Sequence, residues 1–113
     1  MSLFDISEEK EYLRKLVVTC YYDTKKAIDQ VVNNDNEILA LHYFSKANSC
    51  FATLESYIRS KEDLYRYEFV QAVDAFNEVY EEALDCVRDN HPHQHTVIYF
   101  NQLKKVISSI RLR

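Results

Sequence analysis

The chain has 113 residues, no glycine, one proline and a formal net charge of −4, with 47% hydrophobic and 28% charged residues. That is a single domain long enough to bury its own core, and its composition is that of a folded chain. Glycine-dependent hairpin turns are absent, so β-rich architectures are disfavoured, and the acidic balance excludes nucleic-acid binding driven by bulk positive charge.

The first helix is expected over about residues 5–32. Asp5 and Glu8 have capping-box spacing. Leu13, Leu16, Val17, Cys20, Thr24, Ala27, Ile28 and Val31 recur in steps of three and four, which is one buried face. Tyr12, Tyr21 and Tyr22 flank it. The run Asn33-Asn34-Asp35-Asn36 ends the helix, because such side chains favour turns and caps.

A second helix follows over about 36–59. Ala40, Ala47 and Leu54 repeat at seven, as do Tyr43, Cys50 and Tyr57, and Phe44, Phe51 and Ile58. Three adjacent columns make a stripe wide enough for two neighbouring helices. Ser60-Lys61-Glu62-Asp63 then offers an N-cap at Ser60. A turn here is preferred to one helix continuing to Arg88, because helices of compact domains are mostly shorter than that.

The third helix, about 63–88, carries Phe69, Ala72, Val73, Phe76, Val79, Tyr80, Ala83, Cys86 and Val87 on its apolar face. From Glu62 to Asp89 nine acids stand against Arg66 and Arg88, a local net of −7. The fourth helix is expected over about 92–112, with Pro92 in its first turn. Its face is Tyr99, Phe100, Leu103, Val106, Ile107 and Ile110, and Lys104, Lys105, Arg111 and Arg113 give it a net of +4. The fold class is therefore all-α, an antiparallel up-and-down four-helix bundle.

Cys20, Cys50 and Cys86 are odd in number and widely spaced, which argues against a disulfide framework or zinc knuckle. Each lies on an apolar face and reads as a small hydrophobe. With no basic-then-apolar segment after Met1 and no apolar run of membrane-spanning length, a reduced, cytoplasmic protein without membrane contact is expected.

Chemistry has few places to concentrate. His91, His93 and His95 alternate through the last turn. A structural zinc site needs a fourth ligand there, so no metal and no cofactor is assigned. Arg88 followed by His93 is an Arg-x4-His spacing, and Arg88 to His95 is Arg-x6-His. This resembles the signature of the HEPN family, small helical domains that include metal-independent endoribonucleases. The resemblance implies that Arg88 stabilises charge on an RNA phosphate while His93 or His95 acts as general acid or base. It covers eight residues and departs from the family pattern at Asn90, His91 and Pro92.

No glycine-rich phosphate loop and no Glu-x-x-His occurs. The sequence thus favours a non-enzymatic module, regulatory or adaptor-like, that binds another protein or a second copy of itself. Tyr65, Arg66 and Tyr67 are the candidate partner-binding residues, since Tyr and Arg favour interface hot spots, together with the acidic third helix.

Overall fold

A computed structural model describes residues 6–60 and 67–111. It contains four helices: α1 (Ile6–Val32), α2 (Glu37–Arg59), α3 (Tyr67–Asp89) and α4 (Gln94–Arg111). They form an up-and-down bundle with no strand among the described residues. The rod measures 52 × 22 × 19 Å. The α1–α2 and α3–α4 seams are the broadest and α1–α4 is the narrowest. The turn at 33–36 and the turn at 90–93 therefore lie at the same end.

Helices α2 and α3 are separate and packed side by side, as the preferred turn requires, but Ser60, expected as an N-cap of the third helix, is the C-cap of α2. Ser60 closes α2, its hydroxyl donating to the Tyr57 carbonyl at 2.7 Å. Asn36 caps the other end, its side chain accepting from Leu39 N–H at 3.1 Å.

A chain without glycine must make its left-handed turn positions from other residues. It uses Asp35 (φ 49°) and Asn90 (φ 57°), the side-chain types that tolerate that region best. Asn90 sits in a Schellman closure, where His91 N–H reaches back to the Cys86 carbonyl at 2.9 Å. Asn90→Gly is expected to keep or raise stability, whereas Asn90→Val should cost about 1–2 kcal/mol. Urea unfolding of the two variants checks this.

The seams carry distinct fasteners. Phe51 stacks on Phe76 at 4.5 Å, and Phe76 on Tyr80 at 5.6 Å, joining α2 to α3. Tyr21 lies parallel to Phe100 at 5.6 Å, joining α1 to α4. Cys20 and Cys50 form a disulfide that joins α1 to α2. This corrects the expectation that all three cysteines are separate thiols. The two residues stand 30 apart in sequence, and the antiparallel α1–α2 pair brings their Cα atoms to 5.5 Å.

The buried faces match the expected ones closely. Leu13, Val17, Phe44, Phe51, Leu54, Ile58, Phe76, Val79 and Leu103 are all buried in one continuous core. Two additions are Tyr21 and Thr96, both buried. The column Tyr43, Cys50, Tyr57 is only half-buried, at the α1–α2 edge.

Candidate functional site

The α3–α4 turn holds the residues with chemical potential, and backbone geometry fixes each of them. After Asn90 reverses the chain, Pro92 cannot donate an N–H, and the helix starts two residues beyond the expected position. His93 becomes the capping residue of α4, its carbonyl accepting from Val97 N–H at 3.1 Å. Its Nδ1 lies 3.3 Å from the hydroxyl of buried Thr96. Its Nε2 is enclosed and has no hydrogen-bond partner among the described residues, an arrangement that costs about 1–3 kcal/mol. His93→Asn supplies a better cap and removes that enclosed nitrogen. It is expected to raise stability by about 0.5–1 kcal/mol in denaturant unfolding.

Cys86 completes this cluster. Its sulfur is 3.8 Å from the Thr96 hydroxyl, 3.4 Å from the Pro92 carbonyl and 3.6 Å from Glu82 Oε1. Burial pushes the thiol above its ordinary value, and the Glu82 and Asp85 carboxylates push it further, against the opposing effect of Thr96. A thiol held protonated is a poor nucleophile at neutral pH. Cys86 therefore acts as a packed donor.

Arg88 turns the other way. Its Nε and Nη2 donate to both Asp89 oxygens at 3.1 and 3.2 Å, and Nη2 also pairs with Asp85 at 3.2 Å. Hydrogen bonding to Asp89, then the Asp89 and Asp85 charges, raise the guanidinium above its ordinary value. The same hydrogen bond holds the Asp89 carboxyl below the usual range. A carboxyl lowered on folding adds stability above its unfolded pKa and loses it as pH falls through the folded one. This pair is exposed, so salt weakens the effect.

His95 is exposed and lines a cleft of about 330 Å³ with Glu82, Asp85, Cys86, Asp89 and His91. His93 lines a second cleft of about 450 Å³ with Val31, Val32, Asp35 and Glu37. Arg88 lines neither cleft. The two candidate histidines are thus divided between two clefts, both bearing carboxylates that repel a phosphate. Among the described residues, no group of three or more His, Cys, Asp or Glu is placed to hold a metal ion.

Tyr65 and Arg66 lie outside the described residues, as does the side chain of Tyr67. Tyr22 and Tyr12 are about half exposed, resting on Tyr21 and Tyr57 with ring centroids 5.6 Å apart.

A different surface stands out on α2. Between Glu37 and Glu55 its only Asp, Glu, Lys or Arg is Lys46. Lys46 extends toward the α1 side, its Nζ 6.0 Å from the Tyr43 ring that Lys26 of α1 also approaches. The outward face toward α3 is Ile38, Leu41, Ser45, Asn48, Ala52 and Ser56. Ile38 is 85% exposed, Leu41 is half-buried and the rest are exposed. The face is apolar at Ile38, Leu41 and Ala52, and small or neutral polar elsewhere. Phe44 meets Tyr80 at 5.9 Å and Phe51 meets Phe76. That antiparallel register sets Leu41 level with Leu84, which is 40% exposed, and Asn48 level with exposed Asn77.

Heptad spacing marks the opposite, core-facing stripe of α2 and passes over this one. The signal that finds it is the missing charge between Glu37 and Glu55 in a chain that is 28% charged. Among the described residues, no helix is long and apolar enough to cross a membrane. No protein-family model, curated protein or solved structure matches the chain.

Proposed function

We propose that this protein is a non-enzymatic interaction module that docks a protein partner on the outer α2–α3 face. The observation that carries the reading is the α2 surface from Ile38 to Ala52, uncharged and mostly of short side chains, which begins with an almost fully exposed isoleucine. Exposed helix faces ordinarily carry charge. Short side chains let a second backbone approach closely, and a face without ions avoids the large cost of desolvating them. Asn48 is its one amide, and it keeps its hydrogen bonds only if the partner answers it. The rigid bundle behind the face presents it without a loss of order on binding.

The Cys20–Cys50 disulfide favours an oxidising compartment as the place of work, because such bonds persist where thiols are not kept reduced. It weighs against the cytoplasmic location expected from composition. Regulation through an enzyme active site has no comparable support, since Arg88 is committed to its own helix's carboxylates.

The test compares wild type with Ala52→Glu, a substitution that an exposed helix position tolerates. Each tagged protein is captured from its host and its co-purifying chains are quantified, with Lys105→Glu on α4 as a surface control. A stoichiometric chain that is lost with Ala52→Glu and retained with Lys105→Glu is the expected result. Identical sets from all three proteins would contradict the reading.

A further inference from the structure

On α2 the carboxylates Glu37 and Glu55 close the uncharged face at its two ends, and α3 gives it a charged border along its length. On α3, Asp74, Glu78, Glu81 and Asp85 are all exposed. Their spacing of four, three and four residues places them in one line along the helix. The line runs beside Asn77 and Leu84, on the solvent side of the α2–α3 groove. Over eleven residues it spans about 17 Å at about 1.5 Å per residue. Like charges at these spacings repel and weaken the helix that carries them. Of the four, Asp85 has a cation partner at the far end, Arg88 at 3.2 Å. From Ile38 to Ser56 the α2 side of the groove offers none, because Lys46 lies over Tyr43 toward α1.

We infer that the occupant of this face is an amphipathic helix of another protein, uncharged on one side and edged with Lys or Arg. This rests on the interaction reading above and names the partner's chemistry. The uncharged side is apolar where it meets Ile38, Leu41, Ala52 and Leu84. Midway it carries one polar residue, opposite the level pair Asn48 and Asn77. An amide contact at one level of the seam favours one register, because a slip leaves its groups unpaired. The cationic edge answers the carboxylate line.

From Ile38 to Ala52 the uncharged face is about 21 Å long, which matches a partner helix of about 15 residues. Cations placed at steps of four, three and four along that helix align with Asp74, Glu78, Glu81 and Asp85. A second copy of this chain fits less well, since two molecules of net charge −4 repel.

Two synthetic helical peptides serve as probes. They share one Leu/Ala face with a central glutamine, and carry either lysine or glutamate along the same edge. Binding is read by fluorescence anisotropy at fixed ionic strength, alongside the sedimentation of the protein alone. The lysine-edged peptide is expected to bind wild type at least tenfold more tightly than the glutamate-edged one. Ala52→Glu puts a longer side chain into the seat and should weaken binding at least tenfold, although it adds a favourable charge for a cationic ligand. Asp74→Asn/Glu78→Gln/Glu81→Gln/Asp85→Asn should reduce binding to the level of the glutamate-edged peptide and flatten its salt dependence.

If both peptides bind wild type equally and both are lost with Ala52→Glu, the docking face stands and the cationic partner is wrong. If the lysine-edged peptide binds and ignores Ala52→Glu, attraction is to bulk charge and the seat in the groove is wrong. Failure of the lysine-edged peptide to bind also overturns the inference. A dimer that Ala52→Glu converts to monomer would assign the face to a second copy and overturn it too.

Discussion

Breaking the Cys20–Cys50 bond is expected to cost about 3–4 kcal/mol of stability, the chain-entropy value for a closed loop of this length, lowering the melting temperature by roughly 10–20 °C. The bond links residues 30 apart at the middle of the α1–α2 pair, so it restricts the unfolded chain over much of both helices. Part of the loss is local, because Cys20 is fully buried. Part is recovered, because a reduced Cys50 thiol has the Leu16 carbonyl 3.7 Å away as an acceptor. Thermal unfolding with and without reductant, and of Cys20→Ala/Cys50→Ala, reads the effect. Alkylation adds the chemical check. Without reductant the unfolded chain should expose the single free thiol of Cys86, and after reduction all three cysteines should react. Equal melting temperatures, or three reactive thiols without reductant, would contradict the staple.

Phe76→Ala is expected to cost about 3–5 kcal/mol, the range for removing a fully buried aromatic side chain. Phe76 has no exposed surface and lies between Phe51 of α2 and Tyr80 of its own helix, with centroids at 4.5 and 5.6 Å. The cavity opens in the middle of the α2–α3 seam, where neighbouring Phe51 and Tyr80 are held by their own packing and cannot collapse freely. The offset-stacked contacts add to the burial. The loss should exceed that of Phe69→Ala, near the start of α3, which can relax toward the helix end. Chemical denaturation of both variants decides this. A loss below about 1 kcal/mol for Phe76→Ala would mean that the aromatic ladder does not hold the seam. The same ladder sets Leu41 level with Leu84, so this variant should also disturb the proposed docking face.

Much of this bundle is readable from periodicity. Spacings of three, four and seven pick out Leu13, Val17, Phe44, Phe51, Ile58, Phe76 and Leu103 because a helix repeats its face at those steps. Tyr21 escapes that pattern, although it is buried, because it sits one step round from Cys20 on a face that must meet both α2 and α4. Thr96 escapes because a polar residue gives no apolar signal, yet its hydroxyl lies beside Cys86 and His93. The cysteine pairing is legible only when spacing and topology are combined: Cys20 and Cys50 lie 15 residues to either side of Asp35, so antiparallel α1 and α2 bring them level, whereas an odd cysteine count alone states nothing about contact. Pro92 belongs by its chemistry to the first turn of a helix. The closure through Asn90 and His91 uses those residues to end α3, so the first helical hydrogen bond falls to the His93 carbonyl.

The candidate site is less legible than the fold. The Arg88, His93 and His95 spacing is a sequence pattern, whereas the directions of Arg88 and His93 depend on Asp89 and Thr96. The α2 face is defined by what it lacks, and a missing charge becomes a surface only once the core side of the helix is fixed by Phe44 and Phe51.

The most direct measurement is the pattern of amide chemical-shift changes when the lysine-edged peptide is titrated into isotopically labelled protein. The account predicts changes concentrated at Ile38, Ser45, Asn48, Ala52 and Ser56 and along Asp74 to Asp85, with α1 and the outer side of α4 undisturbed. Changes confined to the α3 carboxylates, or centred on α1 and α4, would contradict it.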